Sequence, residues 1–319
     1  MTFAWWFALV LLGQDASHRK LVTADGVALA LYRYGPPHAQ KAPLLLVPDV
    51  GFNRIALDAS GSGLAPKWAR TGRSVYVVEL QGQGASAAGS PDAGSVWNAW
   101  ATRDVKAALE AIRIETGAVP DLFVQGYVGA VVLGAASVEL AGLVRKLVVV
   151  SPSVEPIPAP PLVRLVDRGC AFEGMSAQAT TARDFFLLFT KGSTFPGRSL
   201  DVLSTRGFSN LPVGACREWK GWLSSGRFFY ADGSLLTARM ARLAVPTLAW
   251  FPLGDSFSPP EAGNALREVA PPQTLRLRTL SRALGAAEDF SHAAVVAGTS
   301  LAADLVSPSA DFLDEREAP

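Results

Sequence analysis

Few side chains in this sequence are of the types that carry out metal, thiol or imidazole chemistry. The histidines are His18, His38 and His292, and the cysteines are Cys170 and Cys216. Two cysteines are too few for a disulfide scaffold or a cysteine-rich zinc site, and three histidines exclude a histidine-rich metal site. We therefore expect no metal and no other cofactor. We also expect two free thiols in a reducing compartment, with a disulfide only if the protein is exported.

Asn53 and Arg54 offer a different kind of chemistry, the recognition of an anion. The guanidinium fork of Arg54 could hold a ligand carboxylate or phosphate through two hydrogen bonds. The alternative, which we favour, is that the two side chains brace their own loop through hydrogen bonds to the backbone.

Composition limits the classes of partner. The chain has 319 residues, of which 49% are hydrophobic and 18% are charged. Its 29 Lys and Arg residues nearly balance 28 Asp and Glu residues, which leaves a formal net charge of +1. A nucleic-acid-binding protein normally carries a basic surplus, so nucleic acid is not an expected partner. The length allows one large domain, or a core with an insertion.

The elements that must position these side chains alternate along the chain. Strands are predicted at residues 21–23, 28–34, 43–48, 74–79, 122–124, 146–150, 247–251 and 274–277. Helices are predicted between them at residues 104–115 and 129–143. This order predicts an α/β fold, with a mostly parallel sheet and helices on both faces. The first two strands form an antiparallel hairpin, because Asp25-Gly26 suits a tight turn between them.

One long stretch interrupts the alternation. Residues 154–243 contain no convincing central strand, begin with a proline-rich segment at 156–161, and show helical patterns at 181–189 and 214–224. We predict that this stretch is a helical cap inserted into the core. The domain organisation is then an apolar segment at residues 1–19, a core at 20–153 and 244–319, and the cap at 154–243.

Several segments resemble the α/β-hydrolase fold family, and together they cover the chain from about residue 20 to 305. Segment 47–54, Val-Pro-Asp-Val-Gly-Phe-Asn-Arg, is similar to the family's oxyanion loop, and segment 79–86 is similar to its next strand-end loop. Segments 217–222 and 226–229 resemble cap segments. Gly254-Asp255 resembles the acid turn, and Phe290-Ser291-His292 resembles the histidine loop. The resemblance implies the α/β-hydrolase fold with an inserted cap.

The resemblance implies catalytic positions for an acid, a base and a nucleophile. Asp255 and His292 come in the right order along the chain for the acid and the base. The nucleophile elbow is expected after the strand at 122–124. If Gly126 is matched to the first glycine of Gly-x-Ser-x-Gly, Val128 takes the nucleophile position; a one-residue shift places Gly129 there. Neither residue has a nucleophilic atom, and a β-branched residue resists the positive φ of this position.

Two further loops depart from the family pattern. In the oxyanion loop, formed by Asp49 and Val50, Asp49 stands where the family commonly has glycine. Its carboxylate would repel the negative charge that an oxyanion hole must stabilise. Gln81 and Gln83 stand where arginine and histidine are common. Departures at three loops around one site indicate relaxed catalytic constraint, and we interpret Asp255 and His292 as a retained hydrogen bond between two loops.

The N-terminal residues 3–12 form an apolar run that includes Trp5 and Trp6. Ten residues are about half of the ~20 needed to span a bilayer. The run is either a helix docked on protein or an interfacial anchor, with the two tryptophans at headgroup level and residues 18–20 facing anionic lipid. A cleaved signal is a third, less favoured interpretation. We expect a cytoplasmic protein, peripheral to a membrane if the run is an anchor.

The function predicted from these features is that of a pseudoenzyme. It would bind a small apolar ligand or a protein partner between cap and core, with Tyr127, Gly129, Asn53 and Arg54 as ligand-binding residues. One alternative is an enzyme that acts through Asp255 and His292 without a serine nucleophile. Another is a structural subunit of a membrane-associated complex.

Overall fold

The computed structural model describes residues 17–89, 94–157, 166, 190, 193–209 and 211–315. The apolar run at 3–12, the predicted helix at 181–189 and Cys170 lie outside these residues. Within the described ranges, no helix has the length and apolar character needed to cross a membrane.

The described strands form one eight-stranded sheet in the order β1-β2-β4-β3-β5-β6-β7-β8. The strands are β1 (Ser17–Val22), β2 (Ala28–Tyr34), β3 (Leu44–Val47), β4 (Val75–Glu79), β5 (Asp121–Gln125), β6 (Leu147–Val150), β7 (Thr247–Pro252) and β8 (Leu275–Leu280). The pairs β1–β2 and β2–β4 are antiparallel, and the other pairs are parallel. The predicted hairpin and the mostly parallel sheet are confirmed.

Helices connect the strands and cover the sheet. They are α1 (Arg54–Asp58), α2 (Leu64–Ala69), α3 (Val96–Ala99), α4 (Val105–Thr116), α5 (Gly126–Ala136), α6 (Ser199–Arg206), α7 (Val213–Ser225), α8 (Leu236–Met240), α9 (Asn264–Val269), α10 (Ala294–Ala297) and α11 (Ser307–Asp314). A π-helical turn, Trp100–Asp104, joins α3 to α4. The helices α6, α7 and α8 lie between β6 and β7 in the chain, where the cap was predicted; its exact boundaries stay a prediction.

The helix predicted at 129–143 begins and ends earlier than expected. Helix α5 starts at Gly126, directly after β5, and every one of its residues is buried. Because the segment is apolar on all sides, hydrophobic periodicity cannot locate the ends of the helix. The helix predicted at 104–115 matches α4 within one residue at each end, because its apolar stripe is narrow and Gly117 ends it in a left-handed conformation with φ of 71°.

Cys216 corrects one expectation about the cap. It lies on the buried side of α7 and is disulfide-bonded, not a free thiol. The sequence contains one other cysteine, Cys170. The argument from cysteine number alone did not anticipate the disulfide bond of Cys216.

A buried ion network holds the end of the sheet where β5 begins. Asp121 accepts a hydrogen bond from Arg73 at 2.7 Å and one from Arg145 at 2.6 Å. The side chains of Arg73 and Asp121 are completely buried. Arg73 also bonds Asp314 on α11, and the ammonium of Lys146 donates to the carbonyl of Phe312 at 2.8 Å. Basic side chains thus hold the C-terminal end of α11 against the start of the sheet, where the helix dipole favours positive charge.

This network predicts a large difference between two arginine variants. Arg73→Met should lower the free energy of unfolding by about 3 kcal/mol, because Asp121 loses a fully buried partner. Urea unfolding monitored by circular dichroism measures the change. The matched control is Arg276→Met, which removes an exposed ion pair with Glu315 at 2.7 Å and should cost less than about 1 kcal/mol. Equal losses in the two variants would contradict the assignment.

Candidate active site

The site lies where parallel strands end. The carboxyl ends of β3, β5 and β7 meet at one edge of the sheet. Asp49 follows β3, Gly126 follows β5, and Asp255 follows β7. The loop before α10 carries His292 to the same place. Residues far apart in the chain therefore meet because the sheet aligns the loops that hold them.

His292 bridges two carboxylates. Its Nδ1 lies 2.8 Å from Asp255 Oδ2, and its Nε2 lies 3.0 Å from Asp49 Oδ2. The side chains of all three residues are completely buried. The predicted contact between Asp255 and His292 is present, whereas the contact with Asp49 was not predicted.

The carboxylates also hold backbone groups. Asp255 Oδ1 accepts from the backbone N–H of Phe257 at 3.0 Å and from that of Ser258 at 2.8 Å. Gln125, the last residue of β5, donates from its side-chain amide to the backbone carbonyl of His292 at 2.7 Å. These bonds fix the acid turn and the histidine loop relative to the end of β5.

The two carboxylates decide the charge of the imidazole. Burial by itself would lower the pKa of His292, but the charge and hydrogen bond of Asp255, together with those of Asp49, outweigh burial and raise that pKa to about 9. The ring is therefore protonated at neutral pH. An imidazolium that donates through both nitrogens has no lone pair left to accept a proton from a nucleophile or from water.

The structure corrects the expected position of the elbow residue. The residue with left-handed backbone at this turn is Gly126, with φ of 61°, and not Val128. Val128 is the third residue of α5 and has helical backbone. Gly129 is also inside the helix, where a Cβ would lie 3.2 Å from a methyl group of Val149. The expected register was two residues too late, because the positive φ falls on the first residue after β5.

Asp49 occupies the space beside Gly126. A Cβ at residue 126 would overlap Asp49 Oδ2, so a serine there would require the Asp49 side chain to move from its present position. The other oxygen, Asp49 Oδ1, accepts from the backbone N–H of Val128 at 2.9 Å. This N–H belongs to the first turn of α5, where the helix dipole favours a negative charge. The carboxylate of Asp49 thus occupies the place at the start of α5 where a negative charge is favoured. From the sequence we expected only that this carboxylate would repel a bound anion.

An aromatic cluster covers the site from the cap side. The ring centroid of Tyr127 lies 5.4 Å from that of Trp219, 5.2 Å from that of Trp222 and 5.5 Å from that of Phe257, each in an edge-on arrangement. Phe257 in turn contacts the ring of His292, with centroids 4.6 Å apart. All five rings are buried. Tyr127, one of the residues expected to bind a ligand, belongs to a packed contact between cap and core. Val50, which follows Asp49 in the expected oxyanion loop, is fully buried.

Asn53 and Arg54 brace their loop. Asn53 caps α1 by accepting from the backbone N–H of Ile55 at 2.9 Å, and it donates to the carbonyl of Arg206 at 2.9 Å. Arg54 donates to Tyr34 and to Asp58, each at 3.0 Å. No contact of either side chain with the histidine is found among the residues that the structure describes. The bracing interpretation therefore accounts for both residues.

Asp104 is a buried acid that the sequence reasoning missed. It ends the π-helical turn and accepts from the backbone N–H of Gln81 at 2.8 Å. Burial raises the pKa of Asp104 to about 7, although the Gln81 N–H works in the opposite direction. The available signal was the position of an acid at the start of an apolar helix, which also suits an ordinary helix cap. Asp104 holds the loop after β4.

Ser151 is a buried polar residue with left-handed backbone at this end of the sheet. It directly follows β6, has φ of 55°, and is fully buried. Its carbonyl accepts from the hydroxyl of Ser258 at 2.6 Å. No three His, Cys, Asp or Glu side chains in the described part of the chain are placed to hold a metal ion.

The raised pKa of His292 predicts how stability depends on pH. The folded protein binds the imidazole proton more tightly than the unfolded chain, so this stabilisation is complete below pH 6.5 and is lost as the pH rises through about 9. The free energy of unfolding should fall by on the order of 2 kcal/mol between about pH 7 and pH 9.5. Urea unfolding at several pH values measures this fall. His292→Gln should flatten the profile, and an equal fall in that variant would refute the prediction.

Comparison with known proteins identifies the fold. No family model matches the sequence, and no curated protein matches it. A hydrolase from Pseudomonas aeruginosa PA01 matches with a TM-score of 0.66 and 19% identity, over 93% of this chain and 98% of that chain. The 2-hydroxy-6-oxo-6-phenylhexa-2,4-dienoate hydrolase from Rhodococcus sp. strain RHA1 matches with a TM-score of 0.66 and 17% identity, over 94% and 98%. The enol-lactonase from Burkholderia xenovorans LB400 matches with a TM-score of 0.66 and 16% identity, over 93% and 100%. The chain therefore has the α/β-hydrolase fold.

Proposed function

We propose that this protein has lost serine-type hydrolysis and acts as a binding protein built on the α/β-hydrolase fold. The observation that carries the proposal is the pairing of Gly126 with Asp49. The left-handed residue of the turn has no side chain, and the carboxylate of Asp49 fills the space where a nucleophile would be attached. Covalent acyl transfer needs a nucleophile and an accessible oxyanion position, and the turn after β5, in the part of the chain that the structure describes, offers neither a side-chain nucleophile nor open space beside Gly126.

The state of His292 supports the same proposal. The imidazolium donates to Asp255 and to Asp49 at the same time. It cannot act as a general base until Asp49 is displaced. This argues against the alternative of an enzyme that uses Asp255 and His292 without a serine, because that mechanism also needs a neutral ring facing a substrate or water.

The packing between cap and core favours a protein partner over a small apolar ligand. Tyr127, Trp219, Trp222 and Phe257 are buried against one another at the place where such a ligand was expected. A ligand would have to separate edge-to-face aromatic contacts before it could enter. A partner that binds the outer surface has no such cost.

The disulfide at Cys216 bears on the compartment. Disulfides persist in oxidising compartments and are rare in the cytosol. We therefore propose that the folded protein functions in an oxidising compartment, in place of the cytoplasmic location expected from the sequence. Non-reducing mass mapping of the protein isolated from its own cells tests this, and two free thiols in that sample would contradict it.

One prediction of this proposal concerns the reactivity of the protein with its natural sequence. A fluorophosphonate probe should not label it, and aryl esters should not be hydrolysed above the background rate, because no serine lies on the elbow. Intact-mass spectrometry after incubation with the probe measures labelling. Stoichiometric labelling of any serine would overturn the proposal. Ser151 is the position to inspect first, because it follows β6, the strand next to β5, and has left-handed backbone.

Another prediction of this proposal concerns variants that introduce a serine nucleophile at the turn after β5. Gly126→Ser alone should be destabilising and unreactive, because the new side chain meets the carboxylate of Asp49. Gly126→Ser combined with Asp49→Gly removes that overlap and frees Nε2 of His292 to accept the serine proton. The double variant should be labelled by the fluorophosphonate probe.

The control for this experiment is Val128→Ser combined with Asp49→Gly. It introduces the same hydroxyl two residues later, inside helix α5, and should stay unlabelled. Adding His292→Ala to the reactive double variant should abolish labelling. Equal labelling with the serine at 126 or at 128 would refute the corrected position of the elbow.

A further inference from the structure

We propose that residues 193–209, which we name the α6 clasp, open and close as a unit over the His292 site while helix α7 of the cap stays packed on the core. The clasp consists of helix α6 and the segment on either side of it. The proposal goes beyond the binding function and does not depend on it, because it concerns which part of the folded protein opens first. Three observations support it: the loops to which the clasp is attached, its small apolar contact, and the polar groups buried at its attachments.

The C-terminal end of the clasp is attached to the loop after β3. The backbone N–H of Asn53 donates to the carbonyl of Gly207 at 3.1 Å, and the backbone N–H of Ser209 donates to the carbonyl of Gly51 at 2.8 Å. The side-chain amide of Asn53 also donates to the carbonyl of Arg206 at 2.9 Å and to the hydroxyl of Ser209 at 3.2 Å. Asn53 is therefore the principal attachment at this end.

The N-terminal end of the clasp is attached to the histidine loop. Glu288 Oε2 accepts from the backbone N–H of Thr194 at 2.9 Å, and the backbone N–H of Ser291 donates to the hydroxyl of Ser193 at 2.8 Å. Ser291 directly precedes His292. The clasp thus connects the two loops that bring the histidine and its second carboxylate together.

Helix α6 buries little apolar surface, in contrast to α7. The buried residues of α6 are Ser199 and Leu203, of which only Leu203 is apolar. Phe195 and Phe208, beside the helix, are partly buried. The buried residues of α7 are Ala215, Cys216, Trp219, Trp222 and Leu223. A segment with few buried apolar contacts opens at a lower free energy than its surroundings, so α6 should open before α7.

Both attachments bury polar groups whose hydrogen bonding is incomplete. Among the residues that the structure describes, Glu288 Oε1 and Ser291 Oγ are buried without a hydrogen-bond partner. The two polar side-chain atoms of Gln83 are in the same state, and the next residue, Gly84, donates its N–H to the hydroxyl of Ser209 at 2.9 Å. Water can bind these groups when the clasp opens, which lowers the free energy of the open state relative to the closed one.

Opening of the clasp gives water a route to His292. The ring centroid of Phe208 lies 5.0 Å from that of Phe52, which in turn lies 5.8 Å from that of His292 in a stacked arrangement. Phe52 and His292 are completely buried, whereas Phe208 is partly exposed. When Phe208 moves away with the clasp, Phe52 is uncovered and the loop after β3 loses its attachment. The Nε2 proton of His292 can then exchange with solvent.

Hydrogen exchange of the full-length protein, measured by NMR at several low urea concentrations, tests the proposal. Amide protection factors in α6 should be at least about 100-fold lower than in α7, as expected for opening below the global free energy of unfolding. The N–H groups of Asn53 and Ser291 belong to loops of the core but donate to the clasp, so their protection factors should follow those of α6. Exchange of the Nε2 proton of His292 should also follow α6.

Asn53→Ser weakens the clasp selectively. Serine still caps α1, but the amide donor to Arg206 and Ser209 is lost. Protection factors in α6 should fall about tenfold, because buried hydrogen bonds of one side chain are removed, and those in α7 should stay within about twofold. The matched control is Asn98→Ser, which removes an amide oxygen that accepts from the backbone N–H of Ala231 at 3.3 Å. It should leave the protection factors of α6 within about twofold.

Leu203→Ala removes the buried apolar contact of α6. Protection factors in α6 should fall at least about 30-fold, and the Nε2 proton of His292 should exchange faster by the same factor. Thermal unfolding of each variant checks that it folds, and Asn53→Ser tests the proposal if Leu203→Ala does not fold.

Three outcomes would overturn the proposal. Equal protection factors in α6 and α7 would mean that the two helices open together. Equal effects of Asn53→Ser and Asn98→Ser on α6 would remove Asn53 as an attachment. Exchange of the Nε2 proton of His292 that stays constant while α6 exchanges faster would show that the clasp does not control access to the site.

Discussion

The side chains of Asp49, His292 and Asp255 form a row of charged groups that is completely buried. Burial of isolated charges is unfavourable by several kcal/mol each, so such a row persists only when every group has a partner of opposite polarity. Here the imidazolium lies between two carboxylates, and backbone N–H groups of the acid turn and of α5 bind their remaining oxygens. The positions of the loops after β3, β5 and β7 follow from this requirement.

At both ends of the sheet, buried charges are paired with charges of opposite sign, but different side chains form the pairs. At the end where β5 begins, Arg73 and Arg145 share the carboxylate of Asp121 and connect the sheet to α11. At the other end, the imidazolium of His292 donates one N–H to Asp255 and the other N–H to Asp49. Between them, the strands are almost entirely apolar and buried, which makes the polar groups at the strand ends the determinants of where each loop lies.

Much of the fold could be predicted from the sequence, because it depends on repeated patterns. Apolar runs identify the strands, and the single stripe of α4 identifies a helix whose limits are right within one residue. The limits of α5 could not be obtained in the same way, because every face of that helix is buried. The cap disulfide was missed because two cysteines carry no spacing signal.

The candidate site was predictable only in part. His292 and Asp255 could be paired because each lies in a segment that resembles a family loop. The partnership of Asp49 with His292 depends on a distance between residues 243 positions apart, and no local pattern encodes it. The left-handed conformation of Gly126 was also missed, although glycine directly after a strand is the residue that accepts such a backbone most readily. The alignment used in the sequence analysis instead assigned the positive φ of the nucleophile position to Val128.

The fit between Gly126 and Asp49 has a consequence for how this sequence can change. A serine at residue 126 meets the carboxylate while Asp49 is present, and the loss of Asp49 by itself removes one of the two partners of a buried imidazolium. Each single replacement is therefore less stable than the present pair, although the two replacements together remove the conflict. A lineage that reached this pair would be held there by folding stability, since any stepwise return to a catalytic elbow must first pass through a less stable protein.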